Sequence, residues 1–212
     1  MKLIGMFDSP FVRRVAITMH VHGMPFEHLD WSVGRDFARI REYSPLGRVP
    51  ALVLDDGEVL VESAAILDYL DEQAGPQRAL LPASGVARRR ALQLMALAVG
   101  AAEKGRDQIY ESAFRPPEKR HEPWLERCRA QMQGALAELD RASALRGASA
   151  WLVGSRMTQA DITTACMVTF LTESVGVAPE AAPYPALRTL VARCEALPAF
   201  SAFHAPWFSP SP

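Results

Sequence analysis

Near residue 80 the spacing of apolar positions changes. Before it, short apolar runs alternate with stretches of helical period; after it, nearly every stretch repeats like a helix. Lys2 to Phe7 predicts a strand. Phe11, Val15 and Met19, flanked by Val12 and Ala16, mark one face of a helix that Gly23 ends. Phe26 to Asp30 predicts a second strand and Asp36 to Tyr43 an irregular helix. Pro50 to Leu54 and Glu58 to Val61, joined by Asp55-Asp56-Gly57, predict a hairpin. A helix from Ala64 to Asp71 closes a βαβαββα unit. Gly75-Pro76 and Leu81-Pro82-Ala83-Ser84-Gly85 have the composition of a linker. Beyond them, Val86 to about Ser112 and Glu122 to Leu145 predict long helices broken at Pro116-Pro117. Thr158-Gln159-Ala160-Asp161 is a helix start, with Thr158 as cap, Asp161 at the third helical position and Met157 and Ile162 as a hydrophobic staple. The helix that follows, Ile162 to Val175, is almost wholly apolar and is expected to be buried on most sides. Ala186 to Ala196 and a turn from Ala199 to His204 complete the series. The organisation expected is an α/β domain over 1–78, a linker over 79–86 and an all-helical domain over 87–212.

Length agrees with two unequal domains: 212 residues are many for one compact unit. A net charge of -1 gives no electrostatic case for nucleic acid or an anionic membrane surface. No stretch reaches the roughly 18 apolar residues of a membrane helix. The apolar run Leu3 to Phe7 is too short for a signal-peptide core. Three scattered cysteines, Cys128, Cys166 and Cys194, form no CxxC pair and suit a reducing compartment. A cytoplasmic protein is expected. His20 and His22 alternate near a helix end with no third ligand in view, so no metal is expected.

Candidate chemistry gathers around Gly47-Arg48-Val49-Pro50-Ala51-Leu52 and, twelve residues after Pro50, Glu62-Ser63. Proline cannot donate to a sheet ladder, so Pro50 belongs at a strand start or edge. An X-Pro bond there is the natural place for a cis peptide. It would leave the amide and carbonyl of Val49 free for the backbone of a ligand. With a helix N-terminus alongside, the arrangement suits a small, anionic, peptide-like ligand.

Four motifs in order, Ser9-Pro10-Phe11-Val12-Arg13-Arg14-Val15, Gly47-Arg48-Val49-Pro50, Glu62-Ser63-Ala64-Ala65-Ile66 and Thr158-Gln159-Ala160-Asp161, resemble those of the cytosolic glutathione transferases over essentially the whole chain. The opening is most similar to serine-type classes such as tau, with likeness to zeta and to small bacterial stress-associated members. The resemblance implies a thioredoxin-like glutathione-binding domain, an all-α C-terminal domain, and a homodimer. It implies glutathione as co-substrate, activated as a thiolate for attack on a small, electrophilic, largely apolar second substrate. It also implies glutathione contacts from Ser9, Phe11, Arg48, Val49, Pro50, Glu62 and Ser63, with Ser9 catalytic. By analogy, Gly105, Gln108, Ile109 and Trp207 are expected in the co-substrate pocket. Residues 1 to 127 contain no cysteine, so disulfide chemistry by the N-terminal domain is not expected. Alternatives on the same fold are isomerisation, dehalogenation or peroxide reduction, and non-catalytic glutathione binding or stress interaction.

The chemistry of the residues is compatible with this. A free thiol has a pKa of about 8.5. A hydroxyl at Ser9 and the helix N-terminus beginning at Pro10 both favour the thiolate. Ser9 could equally cap that helix, with Pro10 in the first turn; the downstream motifs favour the thiolate contact. Ser63 either caps the next helix or, with Glu62, holds the γ-glutamyl end: carboxylate to Ser63, ammonium to Glu62. Arg48 is either a surface charge or a partner for the glycine carboxylate. Of Arg13 and Arg14, one is expected to face solvent and the other to meet an acid between the domains. Leu92, Met95 and Val99 are expected in the core, Cys166 buried and inert, and Thr158 and Asp161 structural. Trp207 and Phe208 either cover the cleft or plug the core.

Overall fold

The computed structural model describes residues 1–147, 149–176 and 184–208. Four short strands, β1 (Lys2–Ile4), β2 (Glu27–Leu29), β3 (Ala51–Val53) and β4 (Val59–Val61), form one sheet in the order β2-β1-β3-β4. β1 and β2 are parallel; β1 with β3 and β3 with β4 are antiparallel. The hairpin turns at Gly57, whose φ of 91° is the reason a glycine stands there.

Side chains alternate across the sheet, as a strand's period of two requires. Leu3 and Leu52 face α1 (Pro10–His22) and α3 (Ser63–Ala74), packing on Val12, Val15, Ala16, Met19, Ile66 and Leu70. Ile4 and Ala51 face the other way, towards Ile40 of α2 (Phe37–Arg41), with Trp31 and Tyr43 alongside. This is the thioredoxin-like arrangement, and the βαβαββα order matches the sequence pattern.

The second unit holds α4 (Gly85–Phe114), α5 (Glu122–Ala144), α6 (Gln159–Ser174), α7 (Pro185–Glu195) and the short α8 (Pro198–Ser201). α6 is the central helix, buried along most of its length, and packs on α1, α4 and α7. Its start is a capping box: Asp161 accepts the backbone N–H and the hydroxyl of Thr158, each at 2.8 Å, and the N–H of Leu152, also at 2.8 Å. Met157 packs against the core that encloses Ile162. Of the apolar stripe on α4, Met95 and Val99 pack against the core, but Leu92 is exposed, because α4 turns that position away from α5 and α6.

α1 joins the two units. Its Ile17 belongs to the helical core while Val12, Val15, Ala16 and Met19 belong to the sheet's core. Arg13 is buried and forms a bidentate pair with Glu195 at 2.8 and 2.6 Å. It also donates to the carbonyls of Phe200 and Phe203. Asp71 of α3 accepts the N–H groups of Leu80 and Leu81, tying the connecting segment down. Pro116-Pro117 opens a short 3-10 turn between α4 and α5. No helix among the described residues is long and apolar enough to cross a membrane.

Candidate functional site

Three segments meet at one end of the sheet. Ile4 pairs with Ala51, and Ala51 with Val61, so these residues form a row across three strands. β1 leaves the row towards Ser9, β3 enters it from Val49-Pro50, and β4 leaves it into Glu62 and Ser63. Strands lie about 4.8 Å apart, so the row is about 10 Å wide. Three extended residues also reach about 10 Å. The Val49-Pro50 bond is cis. The ladder begins at Ala51, which leaves the peptide groups of Val49 outside it. Gly5 allows this close approach: with φ at +130°, a Cβ there would lie 2.5 Å from Val12 Cγ2 and 2.8 Å from Val49 Cβ.

Ser9 stands at the N-cap of α1, in extended conformation, with Pro10 behind it in the first turn. Its carbonyl accepts the Arg13 N–H at 2.9 Å, but its half-buried hydroxyl makes no capping bond. Of the two uses open to this hydroxyl, the cap is not the one made. Next to it, burial pushes the Asp8 carboxyl above its usual range, against the pull of backbone N–H groups of Phe208 and Ser9.

The start of α3 differs from expectation by one residue. Glu62 occupies the cap position, and Ser63 is the first helical residue instead of the cap. Glu62 has φ +66°, the only positive value at a non-glycine among the described residues. Its exposed carboxylate lies 3.6 Å from the Arg48 guanidinium, a half-exposed pair of small energetic weight. Ser63 is buried, and its Oγ accepts Arg14 Nη2 at 2.6 Å and Nε at 3.2 Å.

Arg14 corrects the expectation that one of the two arginines faces solvent: both are 3% exposed. Apolar residues on α1 occupy two faces, one for the sheet and one including Phe11 and Ile17 for the helical unit, which leaves no watered face for Arg14.

The expected co-substrate positions fare differently. Gly105 and Ile109 are both buried within the helical unit. A Cβ at Gly105 would lie 2.2 Å from Leu171 Cδ2, so α4 and α6 touch there. Gln108 is half-buried and donates to the Lys104 carbonyl and towards Met132 sulfur, facing α5. Trp207 packs edge-on against Phe170 at 5.1 Å and donates its backbone N–H to Glu173, while Phe208 is exposed. An open depression of about 360 Å³ lies between α4 and α5, lined by Asp107, Tyr110, Glu111, Phe114, Arg115 and Trp124. None of the residues at the sheet end lines it.

Cys128, Cys166 and Cys194 are free and buried. Burial pushes the Cys166 thiol up to about 12, so it stays protonated near neutral pH. No group of three or more His, Cys, Asp or Glu able to hold a metal occurs among the described residues.

Residues 3–78 match the family model described as glutathione S-transferase, N-terminal domain. Residues 107–198 match glutathione S-transferase, C-terminal domain. The chain is 32% identical over 140 residues to the "Uncharacterized GST-like protein YibF" of Escherichia coli (strain K12), covering 66% of this chain and 68% of that protein. A glutathione S-transferase from Methylobacterium radiotolerans, solved in complex with glutathione sulfonate, superposes with a TM-score of 0.90 at 28% identity, covering 100% of this chain and 97% of that one. A glutathione transferase family member from Pseudomonas fluorescens Pf-5, solved with bound glutathione, gives a TM-score of 0.82 at 32% identity, covering 97% and 99%. The chain belongs to the glutathione S-transferase family.

Proposed function

We propose that the protein binds glutathione along the end of its sheet, stabilises the thiolate at Ser9, and delivers it to a small, electrophilic, largely apolar second substrate. The observation that carries this reading is the row Ile4, Ala51, Val61. It brings Ser9, Val49-Pro50 and Glu62-Ser63 to one edge whose width matches a tripeptide. In this reading Val49 pairs its backbone with the cysteinyl unit beside Pro50. Ser63 and the start of α3 receive the γ-glutamyl carboxylate, and Glu62 meets the ammonium. Arg48, half-exposed, meets the glycine carboxylate. Phe11, half-buried in the first turn of α1, walls the sulfur side. The Ser9 hydroxyl, free of a capping bond, donates to sulfur, and the α1 N-terminus adds its partial positive charge.

The division of labour follows the notional domains: 1–78 for glutathione, 79–86 as connection and 87–212 for the second substrate. A cytoplasmic homodimer is part of the same proposal.

Steady-state conjugation of glutathione to a nitrohaloaromatic electrophile tests it. Ser9→Ala should lower turnover by about ten- to a hundredfold, the worth of one hydrogen bond to a charged acceptor. It should change glutathione affinity far less, and the pH–rate profile should move to higher pH. Unchanged turnover removes Ser9 from the chemistry. Glutathione binding with no turnover over electrophile and peroxide panels favours a non-catalytic binder instead.

A further inference from the structure

Beneath the start of α3 lies a buried cation of α1 that makes no ion pair; the exposed Glu62 carboxylate acts on it only at a distance. Arg14 is 3% exposed, between α1, α3 and α6. Its neighbour Arg13 is matched by Glu195, but Arg14 makes no ion pair among the described residues. Its partners are hydroxyls: Ser63 Oγ receives Nη2 and Nε at 2.6 and 3.2 Å, and Thr163 Oγ1 receives Nη1 at 3.4 Å. Burial lowers its pKa to about 10, which leaves the guanidinium protonated near neutral pH. A charge held out of water without a counter-ion is costly, and an anion arriving beside it removes part of that cost.

The hydrogen bonds also settle which way the Ser63 hydroxyl works. A serine hydroxyl has one proton and two acceptor positions. Arg14 takes both acceptor positions, so the proton is the only part of the group left for another partner. The unpaired N–H groups of the first turn of α3 point towards the same end of the helix. Further contacts brace Arg14 from behind: the single Thr18 Oγ1 proton is shared between the Arg14 carbonyl at 2.8 Å and Gln159 Oε1 at 3.0 Å. Gln159 Nε2 in turn reaches Thr163 Oγ1 at 3.5 Å.

We infer that Arg14 is a positioning residue that makes Ser63 an obligatory donor and puts a positive charge without an ion-pair partner under the α3 start, so that the site selects a ligand carrying an α-carboxylate at its γ-glutamyl end. The inference rests on the glutathione reading above. It adds a specificity element contributed from α1 and held in place by α6. A carboxylate there gains the Ser63 O–H, the helix N–H groups and the field of Arg14 together; a neutral group in the same place gains none of the charge term.

Calorimetric titration with two ligands tests it: glutathione, and 4-aminobutyryl-cysteinyl-glycine, which lacks only the α-carboxylate. The wild-type protein should hold glutathione at least about a hundredfold tighter. In Arg14→Met that ratio should fall by about tenfold or more, because glutathione binding weakens while analogue binding does not. Arg14→Lys, which keeps the charge without the planar fork, should lie between them. With glutathione saturating, its conjugation kcat should stay within about threefold of wild type while KM rises, because the sulfur is at the other end of the site. If Arg14→Met does not fold, Arg14→Gln, which keeps donors to Ser63 without the charge, reads the same ratio and should lower it comparably. Equal weakening of both ligands, or an unchanged ratio, reduces Arg14 to a packing role and overturns the inference alone. A wild-type protein that holds neither ligand overturns the glutathione reading itself, and does so before any variant is made.

Discussion

The helices α3 and α6 begin in opposite ways. At the start of α6, Asp161 takes the N–H of Thr158, the hydroxyl of Thr158 and the N–H of Leu152, and the end is closed by its own chain. At the start of α3, the cap residue Glu62 sits at φ +66°, makes no capping bond with its side chain, and leaves its carboxylate in solvent. Beneath it lies a protonated guanidinium with hydroxyl partners only. One helix start satisfies itself and contributes stability. The other keeps donors and positive charge unspent, a departure from local consistency of the kind expected where a ligand completes the structure.

Removing the carboxylate at α6 should have the largest effect. Asp161→Ala leaves the buried N–H groups of Thr158 and Leu152 without acceptors, at about 1–3 kcal/mol each, and should lower the melting temperature steeply. Activity per folded molecule should stay intact; a large loss of turnover without loss of stability would erase the contrast between the two helix starts. Ser63→Ala at α3 should act on both properties. It removes the acceptor of two Arg14 bonds, costing about 1–3 kcal/mol in the free protein. It should also weaken glutathione about tenfold, so that glutathione raises the melting temperature less than in wild type.

Smaller effects sharpen the same comparison. Within α6, the Cys166 thiol is raised to about 12 in the folded chain from an ordinary 9.0. The unfolded thiol therefore ionises first as pH rises. Stability is fully present below pH 9 and is lost progressively between 9 and 12, by about 1 kcal/mol at pH 10. The stability difference between wild type and Cys166→Ala in denaturant titrations should be constant below pH 9 and change only in that alkaline window. The smallest effect has the opposite sign. Glu62→Gly should stabilise the free protein by up to about 1 kcal/mol, because glycine adopts the positive φ at no steric cost. Glutathione affinity should fall in the same variant. A destabilised Glu62→Gly would mean that the α3 start is not strained.

How legible each helix start was in the sequence follows from where its partners lie. Thr158 and Asp161 fall within four residues, and the sequence pattern identified their capping box correctly. Glu62-Ser63 was recognised as a helix start, but the cap was considered only for Ser63, as one of its two readings, because serine is the commoner cap and nothing local signals a glutamate at positive φ. Arg14 was missed because its partners Ser63 and Thr163 are 49 and 149 residues away. The close contact of Gly105 with Leu171 on α6 was equally out of reach, because the two lie 66 residues apart.

Element order, the hairpin turn at Gly57, the close of α1 at Gly23 and the capping box of α6 were determined by the sequence itself, because each depends on the dihedral preferences and hydrogen bonds of residues a few positions apart. Tertiary structure alone decided that three distant segments share one sheet end, that both arginines of α1 lose their water, and that one helix start is closed while the other stays open. Burial and charge compensation depend on which surfaces meet, and those surfaces come from parts of the chain that local preference does not connect.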